Sequence, residues 1–365
     1  MVAPRPPEYA MLMNEPPAHL VRVDPAAPGL SRRRRGPDWS YFDEAGELID
    51  DPTVSARISA LVIPPAWHDV WISPDPNGHI QAVGTDAAGR RQYRYHDEWR
   101  RLRDREKYDR VLTLGTALPA MRGELSVRLQ ETGLGRERVL AAGVRMLDIG
   151  AFRSGDEEYA PGDDHEDGTF GLATLRREHV RLDRGAVLFS YPAKGHVPRT
   201  LSLRDPLLHK VVDSLLRRRG GGEELLAFRT TRGWHHVRAE DLNVAVKELV
   251  GPQYTAKDLR TWNATVLAAV ALAVCTARGG VPEKERARER MVTQAVKEVS
   301  EHLGNTPPVA RMSYVDPRVL ERFDEGATVL PALRNLENWS AARPEGCNDA
   351  VRATVERAVV GLISR

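Results

Sequence analysis

The chain of 365 residues has only two cysteines, Cys275 and Cys347. No short spacing joins them, so they outline neither a zinc site nor a disulfide framework, and a reducing cytoplasm suits them. No apolar run is long enough for a membrane span. The longest, Ala264 to Cys275, reads as a buried helix with Cys275 as a buried reduced thiol. The first residues, MVAPRPPEYAMLMNEPP, lack the apolar core of a signal peptide. There are no internal repeats and no glycine-rich phosphate loop of the Walker or dinucleotide kind. Net charge is also scarce: at +2 the whole chain is not a general polyanion binder. These gaps argue against a membrane span, a disulfide framework and a zinc site.

The composition holds 41% hydrophobic residues, enough for an ordinary core, and the length suggests two domains. The cations are grouped rather than spread, at Arg32–Arg35, Arg90, Arg91, Arg94, Arg100–Arg110 and Arg217–Arg219. Grouped arginines can make a phosphate-binding face on a nearly neutral protein, although a single run is more often solvated surface. Residues 1–36, rich in Pro, Ala and Arg, read as a disordered basic tail. Residues 37–100 read as a small β-rich domain, with three strands around Pro76-Asn77-Gly78 and Ala88-Gly89. In the last strand Gln92 and Arg94 face one way, Tyr93 and Tyr95 the other. Beside Arg90 and Arg91, these residues suit a nucleic-acid surface.

Residues 101–365 read as mainly helical. Trp99–Tyr108, Pro119–Thr132 and Arg136–Leu147 are expected as separate helices. A hairpin pairs Ala186–Tyr191 with Arg199–Leu203 and has Lys194-Gly195-His196 at its tip. Further helices span Pro206–Arg219, Ala239–Val250, Ala256–Ala277 and Asn348–Ile363, and Pro282 opens another. Gly304 stands where that helix needs a left-handed residue, and Pro307 and Pro308 keep it from resuming at once.

Four segments then line up. FRSGDEEYA carries Arg153, FSYPAKGHVPR carries Lys194, YTAKDLRTWNATVLAA carries Arg260, and LGNTPPVARMSYVDP carries Asn305 and Tyr314. Two arginines, a lysine, an amide and a tyrosine form neither a metal site nor a hydrolase triad, but they suit a phosphodiester. The guanidiniums fork onto non-bridging oxygens and stabilise charge growing at phosphorus. The same field favours tyrosinate, so Tyr314 can attack. Lys194 can protonate the leaving 5′-oxygen, and Asn305 can donate a hydrogen bond.

With these segments in this order, and with GRRQYRY upstream, the chain resembles a type IB DNA topoisomerase of the small poxvirus-like and bacterial form. The resemblance spans roughly Pro37 to Tyr314 and beyond. It implies an α+β protein: a β-rich N-terminal domain and a larger, mainly helical catalytic domain with a β-hairpin, forming a clamp on duplex DNA. It implies Tyr314 as nucleophile, Arg153 and Arg260 as the phosphate pair and Lys194 as general acid. Gln92, Tyr93, Tyr95 and Tyr159 would contact DNA, and Lys257 is a further candidate. It also implies a monomer on double-stranded DNA in the cytoplasm, associated with the nucleoid, needing neither cofactor nor metal. Asn305 departs from the commonest pattern, which has histidine there. The rival readings are a tyrosine recombinase, which typically has His-x-x-Arg where this chain has Lys257-Asp258-Leu259-Arg260, and a catalytically silent DNA-binding protein. Asp163–Asp167 reads as an acidic surface loop rather than a metal cluster, His179 as a structural histidine, and Trp262 and Met312 as packing around the site.

Overall fold

The computed structural model describes residues 19–36, 38–155, 168–194, 196–336 and 348–365. Tyr159, the Asp163–Asp167 run and Cys347 lie outside them. The protein is α+β and divides into two compact units, Met1–Lys107 and Tyr108–Arg365.

The smaller unit is built on an antiparallel sheet of β1 (Leu30–Arg35), β2 (Asp38–Phe42), β3 (His68–Ile72), β4 (Ile80–Thr85) and β5 (Arg91–Tyr95), in the order β2-β1-β3-β4-β5. Helix α1 (Pro52–Ala60) starts at Asp51, whose carboxylate accepts from Thr53 N at 2.7 Å, with Pro52 at the first helical position. Leu30, Ile58, Val70, Ile72 and Ala82 form the core. The Arg32–Arg35 run therefore belongs to a strand and not to a disordered tail. Leu30 anchors it, and Arg32 donates to the carbonyls of Ile63, Pro64 and Trp67 while lying over Trp39. An arginine stem can serve as packing surface, which a polar run conceals.

The larger unit begins within helix α2 (Asp97–Gln130), which is continuous where two separate helices were expected. Pro119 sits inside it at a cost of about 3 kcal/mol. Val111, Leu114, Leu118, Met121, Leu125 and Leu129 are all buried along one stripe, and at roughly 1.5–3 kcal/mol each they outweigh the proline. Helix α3 (Arg136–Gly150) ends on Ala151 in the left-handed region. Strands β6 (Val180–Asp183), β7 (Ala186–Ala193) and β8 (Val197–Leu203) form a three-stranded sheet, with β7 and β8 as the expected hairpin. After helix α4 (Pro206–Arg217), β9 (Ala227–Thr230) and β10 (Gly233–His236) make a short hairpin that the sequence does not announce. Four-residue strands such as AFRT and GWHH carry too little alternation to register.

Helices α5 (Ala239–Val250) and α6 (Ala256–Cys275) follow. By length and composition α6 is apolar enough to cross a bilayer, yet its most apolar stretch is 89% buried in the protein. Cys275 at its end is half-buried. Trp262 on α6 fills a gap left by Gly115, where a Cβ would stand 2.4 Å from the indole. Helix α7 (Glu285–Leu303) starts three residues later than Pro282 suggested and closes on Gly304 at φ 61°, ψ 49°, as expected. Pro307 opens helix α8 (Pro307–Ser313) instead of delaying the next helix, because a proline is suited to the first helical position. Helices α9 (Pro317–Asp324), α10 (Leu330–Arg334) and α11 (Asp349–Ile363) complete the unit.

A buried ionic cluster joins α2, α3 and α11. Asp148 accepts from Arg122 at 3.0 Å and Arg352 at 2.7 Å, and Glu356 accepts from Arg122 at 2.7 Å. Arg145 bridges Asp148 to Asp205, the N-cap of α4. Asn263 on α6 donates to the Asp148 carbonyl. Burial alone would push the Asp148 carboxyl up, but the surrounding arginines hold it far below the ordinary carboxylate value. A depressed carboxyl stabilises the fold above its unfolded value of about 3.9, and that stabilisation is lost only as pH falls well beneath it. Asp148→Asn leaves its arginines short of a counter-charge. It is expected to lower the stability of the larger unit by about 3–5 kcal/mol in urea denaturation; an unchanged urea midpoint would rule out this role for the cluster.

Candidate active site

Two helix C-termini organise the site. At the end of α3 the chain turns left-handed at Ala151 and runs out through Phe152 and Arg153. This segment is held by Leu172 N donating to Arg153 O at 2.9 Å and Ala173 N to Ser154 O at 2.7 Å. The approach is close enough that a Cβ on Gly171 would fall 2.2 Å from Gly155 Cα, so glycine is required. At the end of α7 the left-handed Gly304 turns the chain, and Asn305 N donates back to Ser300 O at 2.9 Å.

The last carbonyls of a helix have no intrahelical donor and carry the negative end of its dipole. Here arginines take them. Arg260, in the second turn of α6, donates to Ala151 O at the end of α3 and to Leu303 O at the end of α7. Arg153 donates to Gly304 O at 3.4 Å and to the Asn305 side-chain oxygen. That contact fixes the amide's direction, so Asn305 Nδ2 points the other way, buried and without a hydrogen-bond partner among the described residues. Arg260 Nε is likewise unpartnered.

Tyr314 caps the C-terminus of α8, its N–H donating to Ala310 O at 3.1 Å. Thr265 on α6 pins this turn, donating to Tyr314 O at 3.3 Å and accepting from Asp316 N at 3.2 Å. The Arg260 guanidinium lies 5.2 Å from the Tyr314 ring centre. Burial pushes the Tyr314 phenol up. The charge and hydrogen bond of Arg260, with the charges of Arg153 and Lys257, overcome this and hold it below its ordinary value. Burial, together with Arg153 and Arg199, brings Arg260 down to about 9, which still leaves it charged at neutral pH. Arg153 is lowered chiefly by burial and further by Arg199.

Arg153, Arg260, Asn305 and Tyr314 are thus brought together from α3, α6, α7 and α8. Lys194 stands exposed at the β7–β8 tip, and among the described residues no hydrogen bond or ion pair joins it to the other four. Lys257 is exposed on the first turn of α6. Trp262 is buried as expected, but Met312 is 66% exposed and does not pack around the site. His179 is structural: its Nδ1 accepts from Arg176 N and its ring meets Phe170 edge-on.

Two residues of the cluster were missed. Arg199 on β8 is buried, and Tyr191, its partner on β7, bonds to it through the phenol. The signal was present in the alternation. Arg199 continues the inward stripe of Leu201 and Leu203, and Tyr191 continues that of Val187 and Phe189. Burial raises the Tyr191 phenol above its ordinary value despite the same arginines. Of the two tyrosines facing this charge, Tyr314 is held below its ordinary value and Tyr191 above it.

In the smaller unit, Tyr93 and Tyr95 lie on the same face of edge strand β5 with rings stacked at 6.1 Å, and Arg91 approaches Tyr93. Gln92 Nε2 donates to Asp86 at 3.0 Å.

Residues 38–86 match the family described as bacterial DNA topoisomerase IB, N-terminal domain. Residues 96–330 match that described as eukaryotic DNA topoisomerase I, catalytic core. The second match contains Arg153, Lys194, Arg260, Asn305 and Tyr314, whereas Gln92, Tyr93 and Tyr95 fall between the two matches. DNA topoisomerase 1B of Acanthamoeba polyphaga mimivirus is 27% identical over 302 residues, 81% of this chain and 87% of that protein. DNA topoisomerase 1 beta of Arabidopsis thaliana is 26% identical over 183 residues, half of this chain and 18% of the plant protein. DNA topoisomerase 1 alpha of the same plant is 25% identical over 247 residues, 67% of this chain and 25% of that protein.

A difference titration of phenol absorbance between the native protein and Tyr314→Phe should reveal a tyrosine ionising below about 10. Lys257→Ala should move that ionisation upward, since it removes a charge that favours phenolate. A missing phenol that titrates at or above the ordinary value would overturn this account of the site.

Proposed function

Since the chain belongs to the type IB DNA topoisomerase family, we propose that it relaxes supercoiled DNA through a transient 3′-phosphotyrosyl bond made by Tyr314. The Tyr314 phenolate oxygen attacks phosphorus, the bond to the 5′-oxygen breaks, and Lys194 delivers a proton to that oxygen. Arg153 and Arg260 hold the non-bridging oxygens and stabilise the charge of the five-coordinate state. Asn305 Nδ2 and Arg260 Nε, both without partners among the described residues, are donors available to phosphate oxygens. The strand beyond the nick turns, and the 5′-hydroxyl then reverses the attack.

The tyrosyl ester conserves the energy of the backbone bond, so ATP is not required. The guanidiniums supply charge that a divalent ion would otherwise provide. The observation that carries this reading is the lowered phenol of Tyr314 among arginines with no carboxylate partner among the described residues. Lys194 starts outside the cluster. Its position on a hairpin tip suits an acid that reaches the leaving oxygen once DNA is bound, since catalytic contacts often tighten only in the complex.

The domain roles follow from the same reading. Residues 37–100 contact duplex DNA through Gln92, Tyr93 and Tyr95 on β5, and residues 101–365 carry the chemistry, with Tyr159 and Lys257 adding DNA contacts. The protein acts as a monomer within a DNA-containing compartment, the cytoplasmic nucleoid.

Plasmid relaxation in EDTA without ATP should proceed, and denaturant-trapped DNA should carry Tyr314 by mass spectrometry. Strict dependence on Mg²⁺, or an adduct on another residue, would refute the mechanism. Arg260→Ala should raise the cleavage barrier by about 3 kcal/mol, on the order of a hundredfold in rate. Asn305→Ala should slow cleavage modestly and Asn305→His should be tolerated. An Asn305→Ala enzyme as inactive as Tyr314→Phe would overturn that ranking.

A further inference from the structure

We propose that Arg199 is a positioning residue that fixes the Lys194 hairpin against the helix ends carrying Arg153 and Asn305, an inference that rests on the reaction proposed above. Arg199 lies five residues beyond Lys194, on the returning strand β8. Only 6% of it is exposed. One guanidinium nitrogen donates to Gly150 O at 2.7 Å and Ala151 O at 3.3 Å, at the end of α3, and to His302 O at 3.1 Å, at the end of α7. The other donates to the Tyr191 phenol on β7 at 3.3 Å. A single side chain therefore ties both strands of the hairpin to the two helix ends that present Arg153 and Asn305.

The tie is placed where it governs the tip. On the base side the hairpin packs through Phe189, Leu201 and Leu203. On the tip side of the Tyr191–Arg199 pair, β8 has only the exposed Val197 and Pro198, and on β7 the small Ala193 is the one buried side chain before Lys194. The planar fork matters because one group must span carbonyls from two helices, which a lysine ammonium cannot match. The guanidinium also lies 5.2 Å from the Phe152 ring, next to Arg153.

A charge acting on phosphate and a brace acting on Lys194 predict different chemistry. With ordinary DNA, the P–O5′ bond breaks and a proton passes from Lys194 Nζ to the leaving oxygen. With sulfur in place of that bridging oxygen, the P–S bond breaks and a thiolate leaves without needing a proton. Defects in proton delivery are relieved by sulfur, whereas defects in phosphate binding are not.

Single-turnover cleavage would be measured on oxygen and sulfur versions of a mapped cleavage site. The enzymes compared are native, Lys194→Ala, Arg199→Met and Arg199→Lys. Arg199→Met should be about 100-fold slower on oxygen DNA, within the range of a lost general acid, and return to within about threefold of native on sulfur DNA, as Lys194→Ala should. Arg199→Lys, which keeps the charge and loses the fork, should show the same pattern at about tenfold. It carries the test if the methionine variant does not fold. Equal slowing on both substrates, or no slowing on either, would overturn the proposal. If native enzyme forms no Tyr314 adduct on either DNA, the reaction itself is wrong. If sulfur fails to rescue Lys194→Ala, Lys194 is not the acid and the inference falls with it.

Discussion

Arg153, Arg199 and Arg260 are crowded into one site without a carboxylate partner among the described residues. Their donors go to carbonyl oxygens at the ends of α3 and α7, to the Asn305 amide and to a phenol. Helix ends offer partial negative charge, enough to keep the guanidiniums in place but not to neutralise them. The cluster around Asp148 is the useful contrast. There Arg122, Arg145 and Arg352 are buried, as Arg199 and Arg260 are, and each meets a carboxylate. One arrangement is a brace with its charge cancelled; the other leaves positive charge uncancelled among the described residues.

The consequences reach beyond the arginines. Arg153 and Arg199 lower the proton affinity of Arg260, and Arg260, Arg153 and Lys257 draw the Tyr314 phenol down against the effect of burial. Tyr191 faces the same charge but is more deeply buried, and desolvation wins there. Whether one of these phenols is drawn down or pushed up is thus set by burial and not by residue type. The brace contributes indirectly: by fixing α2, α3 and α11 and reaching α6 through Asn263, it holds the helices whose ends and side chains make the site.

Much of the site was legible in the chain. Arg153, Lys194, Arg260, Asn305 and Tyr314 sit in short, chemically distinctive segments, and Gly304 announced its left-handed turn. Long amphipathic helices and the β7–β8 hairpin were also readable from spacing and turn residues. Other features required competing energies to be weighed across the fold. Pro119 marked a helix boundary locally, yet a buried stripe on α2 overrides it. Arg32 looked like solvated charge but is held by three carbonyls distant in sequence. Met312 looked like packing because it neighbours the tyrosine, but its side chain turns outward. Arg199 escaped notice because its partners come from α3, α7 and β7, and no local pattern links them.

The amino-acid order by itself determined which groups are available: one candidate nucleophile, a set of arginines, a lysine at a hairpin tip and an amide after a glycine-ended helix. Those are local properties, set by residue chemistry and by turns a few residues long. Only the tertiary structure decided which arginines share a site, which tyrosine has its phenol drawn down and which charges remain uncancelled. These depend on distance and desolvation between segments far apart in sequence, 43 residues between Arg260 and Leu303 and 152 between Arg153 and Asn305. Coulomb interaction and burial act through space, so folding had to bring those segments together before their chemistry was defined.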